Sequence, residues 1–150
     1  MKEINSFTGK YYFLSNFYES PLPTEGGEVI YPTVEHYFQA QKTYDLKARE
    51  RIRLAQTPGE AKRIGRHVKL RPDWNNIKDS VMHYGLIKKF NNNPDLREKL
   101  LNTGDARLEE GNNWHDNTWG NCYCPKCENI VGENRLGKLL MEIREDLKDG

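Results

Sequence analysis

An excess of charge of either sign is missing from this chain. Its 23 Lys and Arg face 22 Asp and Glu, a formal net charge of +1. No global field pulls it toward nucleic acid, so an anionic ligand needs a local basic cluster. Cysteine is scarce: three residues, an odd number, all between positions 122 and 127. That excludes the pattern of a secreted disulfide framework. No run approaches the ~18 apolar residues of a membrane span, and the opening MKEINSFTGK has no apolar segment of the signal-peptide kind. The expectation is a cytoplasmic protein with no membrane partner. Repeats and low-complexity linkers are absent too. At 150 residues the expectation is one domain over 1–150, large enough to bury an ordinary core.

Aromatics are plentiful at 11%, with eight Tyr and three Trp, as pocket walls or as core filling. The most informative stretch is Tyr31-Pro-Thr-Val-Glu-His-Tyr-Phe-Gln-Ala-Gln-Lys42. Pro32 holds its predecessor extended, Thr33 is an N-cap type, and a helix is predicted from Val34. Glu35, Gln39 and Lys42 are spaced four and then three residues, so they share one narrow stripe. Val34, Tyr37 and Phe38 form the adjacent apolar face. A carboxylate, an amide and an amine thus line one edge of a core helix, as a catalytic ridge on a rigid element would. The plainer reading is a dipole-favoured Glu in the first turn and a solvated Lys further on.

Residues 4 to 31 read as strand and loop. Tyr11, Tyr12, Phe13 and Phe17 are strand formers, and Glu25-Gly-Gly-Glu28 is a turn before Val29-Ile30-Tyr31. Ser15-Asn16-Phe17 is either a local Ser/Asn turn or a loop presenting small polar groups. Thr57-Pro-Gly-Glu60 is a capping box with Pro at the first helical position. The helix it opens carries Lys62, Arg63 and Arg66. Those arginines lie three apart on one face, and two guanidiniums side by side either fork a phosphate or form a solvated basic face. Asp73 is the expected cap of the next helix, where Trp74, Ile77, Val81, Tyr84 and Ile87 follow helical spacing and Asn91-Asn92-Asn93-Pro94 ends it. Trp74, in the first turn, either covers the core edge or stacks on a base. Pro94 opens a short helix stopped at Thr103-Gly104, and Ala106–Glu110 reads as one more short strand.

Residues 111 to 133 are irregular, and a long loop in a compact domain is more often functional than idle. It holds Trp114, His115, Asp116, Trp119 and all three cysteines. Cys122, Cys124 and Cys127 form Cys-x-Cys-x-x-Cys, with His115 seven residues upstream. Three thiolates and an imidazole satisfy tetrahedral zinc, although the Cys-x-Cys spacing strains a four-ligand site. Either the four hold a structural zinc or the cysteines are reduced and packed against the loop. The last helix is amphipathic through Leu136, Leu139, Leu140, Ile143 and Leu147. Asn134 is its expected cap, and its N-terminus a place for an anion.

The string TVEHYFQAQK resembles the core motif of the NADAR family of YbiA-like N-glycosidases. The likeness extends to Ser15-Asn16-Phe17, Arg63-Ile-Gly-Arg66, Trp74 through Met82, Asp116-Asn-Thr-Trp-Gly120 and Gly132 through Met141. The Cys-rich insert after Gly120 departs from that pattern. The resemblance implies an α+β fold, mostly helical, with a small N-terminal sheet packed on about five helices. It also implies cleavage of an N-glycosidic bond to ribose. The implied substrates are ADP-ribose on guanine in nucleic acid, or phosphoribosylamino-pyrimidine intermediates of riboflavin synthesis.

On that footing Glu35, Lys42 and Asp116 are the candidate catalytic residues. Ser15, Asn16, Phe17, Gln39, Arg63, Arg66, Trp74, Trp119 and Asn134 are the candidate substrate contacts. No cofactor is expected in the chemistry. Two mechanisms stay open: an imine between Lys42 and C1′, with Glu35 moving protons, or attack by water activated by Glu35 or Asp116. A non-catalytic ADP-ribose or nucleic-acid reader is the alternative of another class. It fits less well, because a polar ridge is costly to bury merely for binding.

Overall fold

The structure, a computed structural model, describes residues 2–149. In chain order its elements are β1 (Glu3–Ile4), a 3-10 turn (Gly9–Leu14), β2 (Leu22–Thr24), β3 (Val29–Tyr31), α1 (Val34–Ala40), α2 (Leu46–Arg53), α3 (Pro58–Gly65), α4 (Trp74–Asn92), α5 (Pro94–Asn102), β4 (Arg107–Leu108), β5 (Gly111–Asn112), β6 (Asn121–Cys122), a 3-10 turn (Pro125–Cys127) and α6 (Arg135–Asp149). The fold is α+β and mostly helical, as expected. Its strands are short and form three two-stranded ladders. No helix among the described residues is long and apolar enough to cross a membrane.

The chain folds as two compact units, Asn16–Pro94 and Met1–Ser15 with Asp95–Gly150. In the first, β2 and β3 form an antiparallel hairpin, and α1 packs on α2, α3 and α4. α1 begins as predicted: the Thr33 hydroxyl accepts the His36 N–H at 3.0 Å. All seven of its residues are buried, so it is the unit's core helix. Tyr31 and Tyr37 meet edge to face at 5.5 Å, and Phe38 lies 5.0 Å from Trp74. Such aromatic pairs contribute roughly 0.5–1.5 kcal/mol each beyond burial. α3 opens on the expected cap, with Thr57 accepting the Glu60 N–H at 3.1 Å.

In the second unit β1 runs parallel to β4 with Ile4 opposite Leu108. α6 covers β4 through Leu136, Leu140 and Ile143. Gly137 permits the approach, since a Cβ there would sit 2.2 Å from the Leu108 carbonyl oxygen. β5 and β6 are also parallel, with Asn112 opposite Cys122.

Three expectations need correction. The strand formers Tyr11, Tyr12 and Phe13 form no strand: they lie in the 3-10 turn Gly9–Leu14, and Phe17 is outside any strand as well. The turn's adjacent residues Phe13 and Leu14 are both buried, which a strand, with successive side chains on opposite faces, could not achieve against one core. Asp73 precedes α4 but does not cap it with its side chain, because the carboxylate accepts from Arg71 Nε at 2.7 Å instead. The buried face of α4 is also turned from the expected one: Met82, Gly85, Leu86, Lys89 and Phe90 are inside, whereas Tyr84 is exposed. Gly85 explains this, because a Cβ there would lie 2.9 Å from the Tyr37 ring. Only the glycine side of α4 can come that close to α1.

Candidate active site

The unit Asn16–Pro94 holds the polar ridge. Glu35 and Gln39 lie one turn apart on α1 and are buried at 8% and 3% exposure. Gln39 Nε2 donates to Glu35 Oε2 at 2.6 Å. A short bond of this kind fixes both side chains. Gln39 is held from the other side by Gly65 on α3, where a Cβ would stand 2.0 Å from Gln39 Oε1. Gly65 therefore lets α3 close on the ridge. The sequence offers one signal for it, the lone glycine between the two arginines of Arg63-Ile-Gly-Arg66.

Lys42 lies just past the helix. The C-cap Gln41 keeps helical dihedrals, and the Lys42 N–H still donates to the Gln39 carbonyl at 3.2 Å. The stripe thus continues beyond the last α-helical residue. Arg71 N–H donates to the Lys42 carbonyl at 2.7 Å, which anchors the backbone beneath the amine. Lys42 is half-buried, with Nζ 6.0 Å from the Phe38 ring centroid. Burial holds its pKa below the usual lysine value. Glu35 opposes that lowering, while the positive charges of Lys62, Arg66 and Lys78 assist it. A larger share of Lys42 is therefore neutral and nucleophilic than of a solvated lysine. The contribution of Lys78, on α4, depends on the fold and has no local sequence signal.

Asn16 is buried. Its carbonyl accepts the Glu35 N–H at 3.1 Å, and Nδ2 donates to Met82 Sδ at 3.4 Å. Its Oδ1 is buried with no donor among the described residues, so it can accept from a water or from a ligand N–H or O–H. Phe17 is half-buried. Arg63 and Arg66 are exposed at the end of α3, with Arg63 4.0 Å from Glu60. Trp74 is buried against Phe38, so its indole is core at least on that face.

His36 went unremarked in the sequence. Its Nε2 faces the Ala55 carbonyl at 3.0 Å and its Nδ1 the Thr33 hydroxyl at 2.7 Å. A carbonyl only accepts, so Nε2 carries the proton and Nδ1 accepts from Thr33. Burial pushes the His36 pKa down, which favours that neutral form. The imidazole ties the start of α1 to the chain beyond α2.

The remaining candidates lie in the other unit. Ser15 ends the 3-10 turn, its N–H donating to Tyr12. Asp116 Oδ1 accepts the N–H groups of Thr118 and Trp119 at 3.1 and 2.9 Å, so the carboxylate shapes its own loop. Trp119 is half-buried, and its carbonyl accepts the Leu136 N–H at the start of α6. Asn134 is buried with φ 49°. Its amide donates to the Leu108 carbonyl at 3.0 Å and accepts the Glu110 N–H at 3.0 Å, which joins α6 to β4. His115, Cys122, Cys124 and Cys127 converge, with one donor atom from each within 4.8 Å of the others.

The family model described as the NADAR domain matches residues 5–148. N-glycosidase YbiA of Escherichia coli is 44% identical over 135 residues, covering 89% of this chain and 79% of that protein. An N-glycosidase of Nostoc punctiforme is 41% identical, covering 90% and 85%. A riboflavin biosynthesis protein of Vibrio vulnificus is 35% identical, covering 91% of this chain but 36% of its own length. The NMR structure of E. coli YbiA superposes with a TM-score of 0.84 at 41% identity, over 99% of this chain and 86% of that one.

Proposed function

The chain belongs to the NADAR family and is an N-glycosyl hydrolase; from that premise we propose that it removes ADP-ribose from the exocyclic amine of guanine in nucleic acid. The observation that carries this reading is the ridge of buried Glu35 and Gln39 with half-buried Lys42. A carboxylate and an amine on a rigid helix suit a reaction that needs both a proton carrier and a nucleophile.

The bond in question joins C1′ of the ribose to an exocyclic nitrogen, and C1′ also bears the ring oxygen. Protonation of that oxygen opens the ring and leaves a C1′=N⁺ imine with the base. Neutral Lys42 Nζ then adds to C1′. The base nitrogen takes up a proton and leaves as the free amine, and an imine to Lys42 remains. Water adds to this imine, the Lys42 amine departs, and the aldehyde recloses to the ribose hemiacetal. Protons gained and lost balance over the cycle. Glu35, bonded to Gln39 and therefore fixed in place, carries them. Asn16 Oδ1 is a free acceptor for a substrate hydroxyl or amine, and the positive field of Lys62, Arg66 and Lys78 suits the diphosphate.

The test is a side-by-side incubation with a guanine-linked ADP-ribosyl oligonucleotide and a phosphoribosylamino-pyrimidine of riboflavin synthesis, the products separated chromatographically. Free ADP-ribose from the first, faster than release from the second, is expected. Turnover of the pyrimidine alone would assign the riboflavin-type substrate. Tight binding without turnover of either would leave a reader of ADP-ribose.

A further inference from the structure

The geometry points to a structural zinc site made by His115, Cys122, Cys124 and Cys127, independent of the N-glycosidase reading. Zn–S bonds of about 2.3 Å and Zn–N bonds of about 2.0–2.1 Å in a tetrahedron place sulfur and nitrogen roughly 3.6 Å apart. His115 Nδ1 lies 3.2, 3.4 and 4.0 Å from the sulfurs of Cys124, Cys127 and Cys122. Those separations bracket the tetrahedral value, and all four donor atoms lie within 4.8 Å of one another. A hydrogen bond to the single lone pair or proton of one imidazole nitrogen accounts for one thiol there, not for three. A thiophilic, tetrahedral ion accounts for all three.

The backbone is built for the same purpose. Cys124 to Cys127 is a tight knuckle, with the Cys127 N–H on the Cys124 carbonyl at 3.0 Å. N–H groups of His115 and Cys124 donate to Cys122 Sγ at 3.3 and 3.4 Å, and Asn117 Nδ2 donates to Cys127 Sγ at 3.4 Å. Such donors stabilise thiolates and orient metal ligands. His115 also adopts φ 69°, an uncommon left-handed conformation for a non-glycine residue, met mostly in Asn, Asp and His. That conformation turns the ring onto the sulfurs. β5 and β6 are parallel yet joined only by residues 113–120, whereas parallel strands ordinarily need a crossover of about a dozen residues or more. A metal clip holds so short a crossover closed.

Four protein ligands leave no open position, so the ion is structural and not catalytic. It fixes the loop in which Asp116 orders Thr118 and Trp119, and in which Asn117, Thr118, Trp119 and Gly120 accept the N–H groups at the entrance to α6. A groove of about 510 Å³ lined in part by Cys124, Cys127, Tyr123 and Val131 gives the ion access from solvent.

The experiment uses the whole chain, purified without chelator, loaded with one equivalent of zinc and desalted. Metal analysis should find about one zinc per chain, and cobalt in its place should give the intense visible bands of a tetrahedral thiolate site. Chelation should expose residues 113–131 to limited proteolysis. His115→Asn keeps a residue that tolerates the left-handed backbone while removing the ligand, so folding is preserved. It and Cys124→Ser should lose zinc to a chelator more than about 100-fold more readily, beyond the roughly 10–100-fold effect of outer-sphere changes. A chain that retains no metal after loading, or zinc held undiminished in both variants, would overturn the assignment. A disulfide among the three cysteines in freshly purified protein would do the same.

Discussion

Gly65→Ala probes the seat of the ridge. The added Cβ would lie 2.0 Å from Gln39 Oε1, 2.9 Å from its Cδ and 3.1 Å from its Cβ. The first contact is impossible and the second is shorter than real Cβ contacts, so Gln39 must move or α3 must lift from α1. Overpacking of this kind typically costs about 1–3 kcal/mol. For a chain of this size each kcal/mol is worth about 2–4 °C of melting temperature. If Gln39 moves, its 2.6 Å bond to Glu35 breaks, and activity should fall more steeply than stability. The decisive comparison is a double-mutant cycle. Gln39→Ala removes the clashing atoms, all but its Cβ, so Gly65→Ala added to Gln39→Ala should cost almost nothing further. That is a coupling of roughly 1–3 kcal/mol, within the range for residues in contact. Urea unfolding of the four proteins measures it. Strictly additive losses would refute the contact, and a Gly65→Ala protein with full stability and turnover would refute the role given to Gln39.

Borohydride added during turnover should fix the sugar to Lys42 as a stable amine that peptide mass spectrometry locates. Lys42→Arg, whose guanidinium stays protonated, should abolish adduct and turnover. Full activity in Lys42→Ala would favour direct attack by water. Asp116→Asn separates two roles, because an amide oxygen still accepts from Thr118 and Trp119. Unchanged turnover and melting would make Asp116 purely a loop former, whereas lost turnover at unchanged melting would make its charge catalytic. Lys89 is fully buried, and burial pushes its pKa down to about 7 from 10.5. Between those values the unfolded chain holds the extra proton, so stability should rise with pH from about 7 upward, by at most about 1.4 kcal/mol per pH unit. The rise should reverse above about 10, where the buried Tyr37, raised to about 12, resists ionising while the unfolded chain does not. Lys89→Met should flatten the rise; a slope unchanged in that variant would rule out Lys89 as its source. His36, lowered by burial, works in the same direction below about 6.5, the ordinary histidine value: acid should destabilise the fold there.

What the sequence made legible was local. Thr33 and Thr57 were readable as caps because a hydroxyl and an N–H three residues on are neighbours in any helix start. The Glu35, Gln39 and Lys42 stripe was readable because helical spacing is fixed by the backbone. The face of α4 was not. Its apolar residues run round the helix, and the choice between Ile77–Val81–Tyr84 and Met82–Leu86–Phe90 was made by Gly85 against Tyr37. Close approach at a glycine is a property of two elements at once, and neither sequence segment states it alone. The same holds for Gly65 under Gln39, and for Lys62 and Lys78, which act on the Lys42 amine from α3 and α4.

Buried polar residues mark the other limit. Lys89 sits in α4 with the spacing of a core position but with a side chain that a hydrophobic pattern discards. His36, Glu35 and Gln39 do the same on α1. An apolar tally of α1 accounts for Val34, Tyr37, Phe38 and Ala40, and it would leave a solvated edge. That edge is instead buried at Glu35, His36 and Gln39. Enclosing it is unfavourable unless each group has a partner. Glu35 has Gln39, and His36 has Thr33 and Ala55. Lys42 is the member left half-open and with its charge weakened by burial. Gln39 Oε1 is left buried without a donor among the described residues; a helix that otherwise pairs its buried polar groups, and then ends on an amine kept from full hydration, concentrates its reactivity at that amine. Lys42 is therefore where substitution should separate turnover from folding most cleanly.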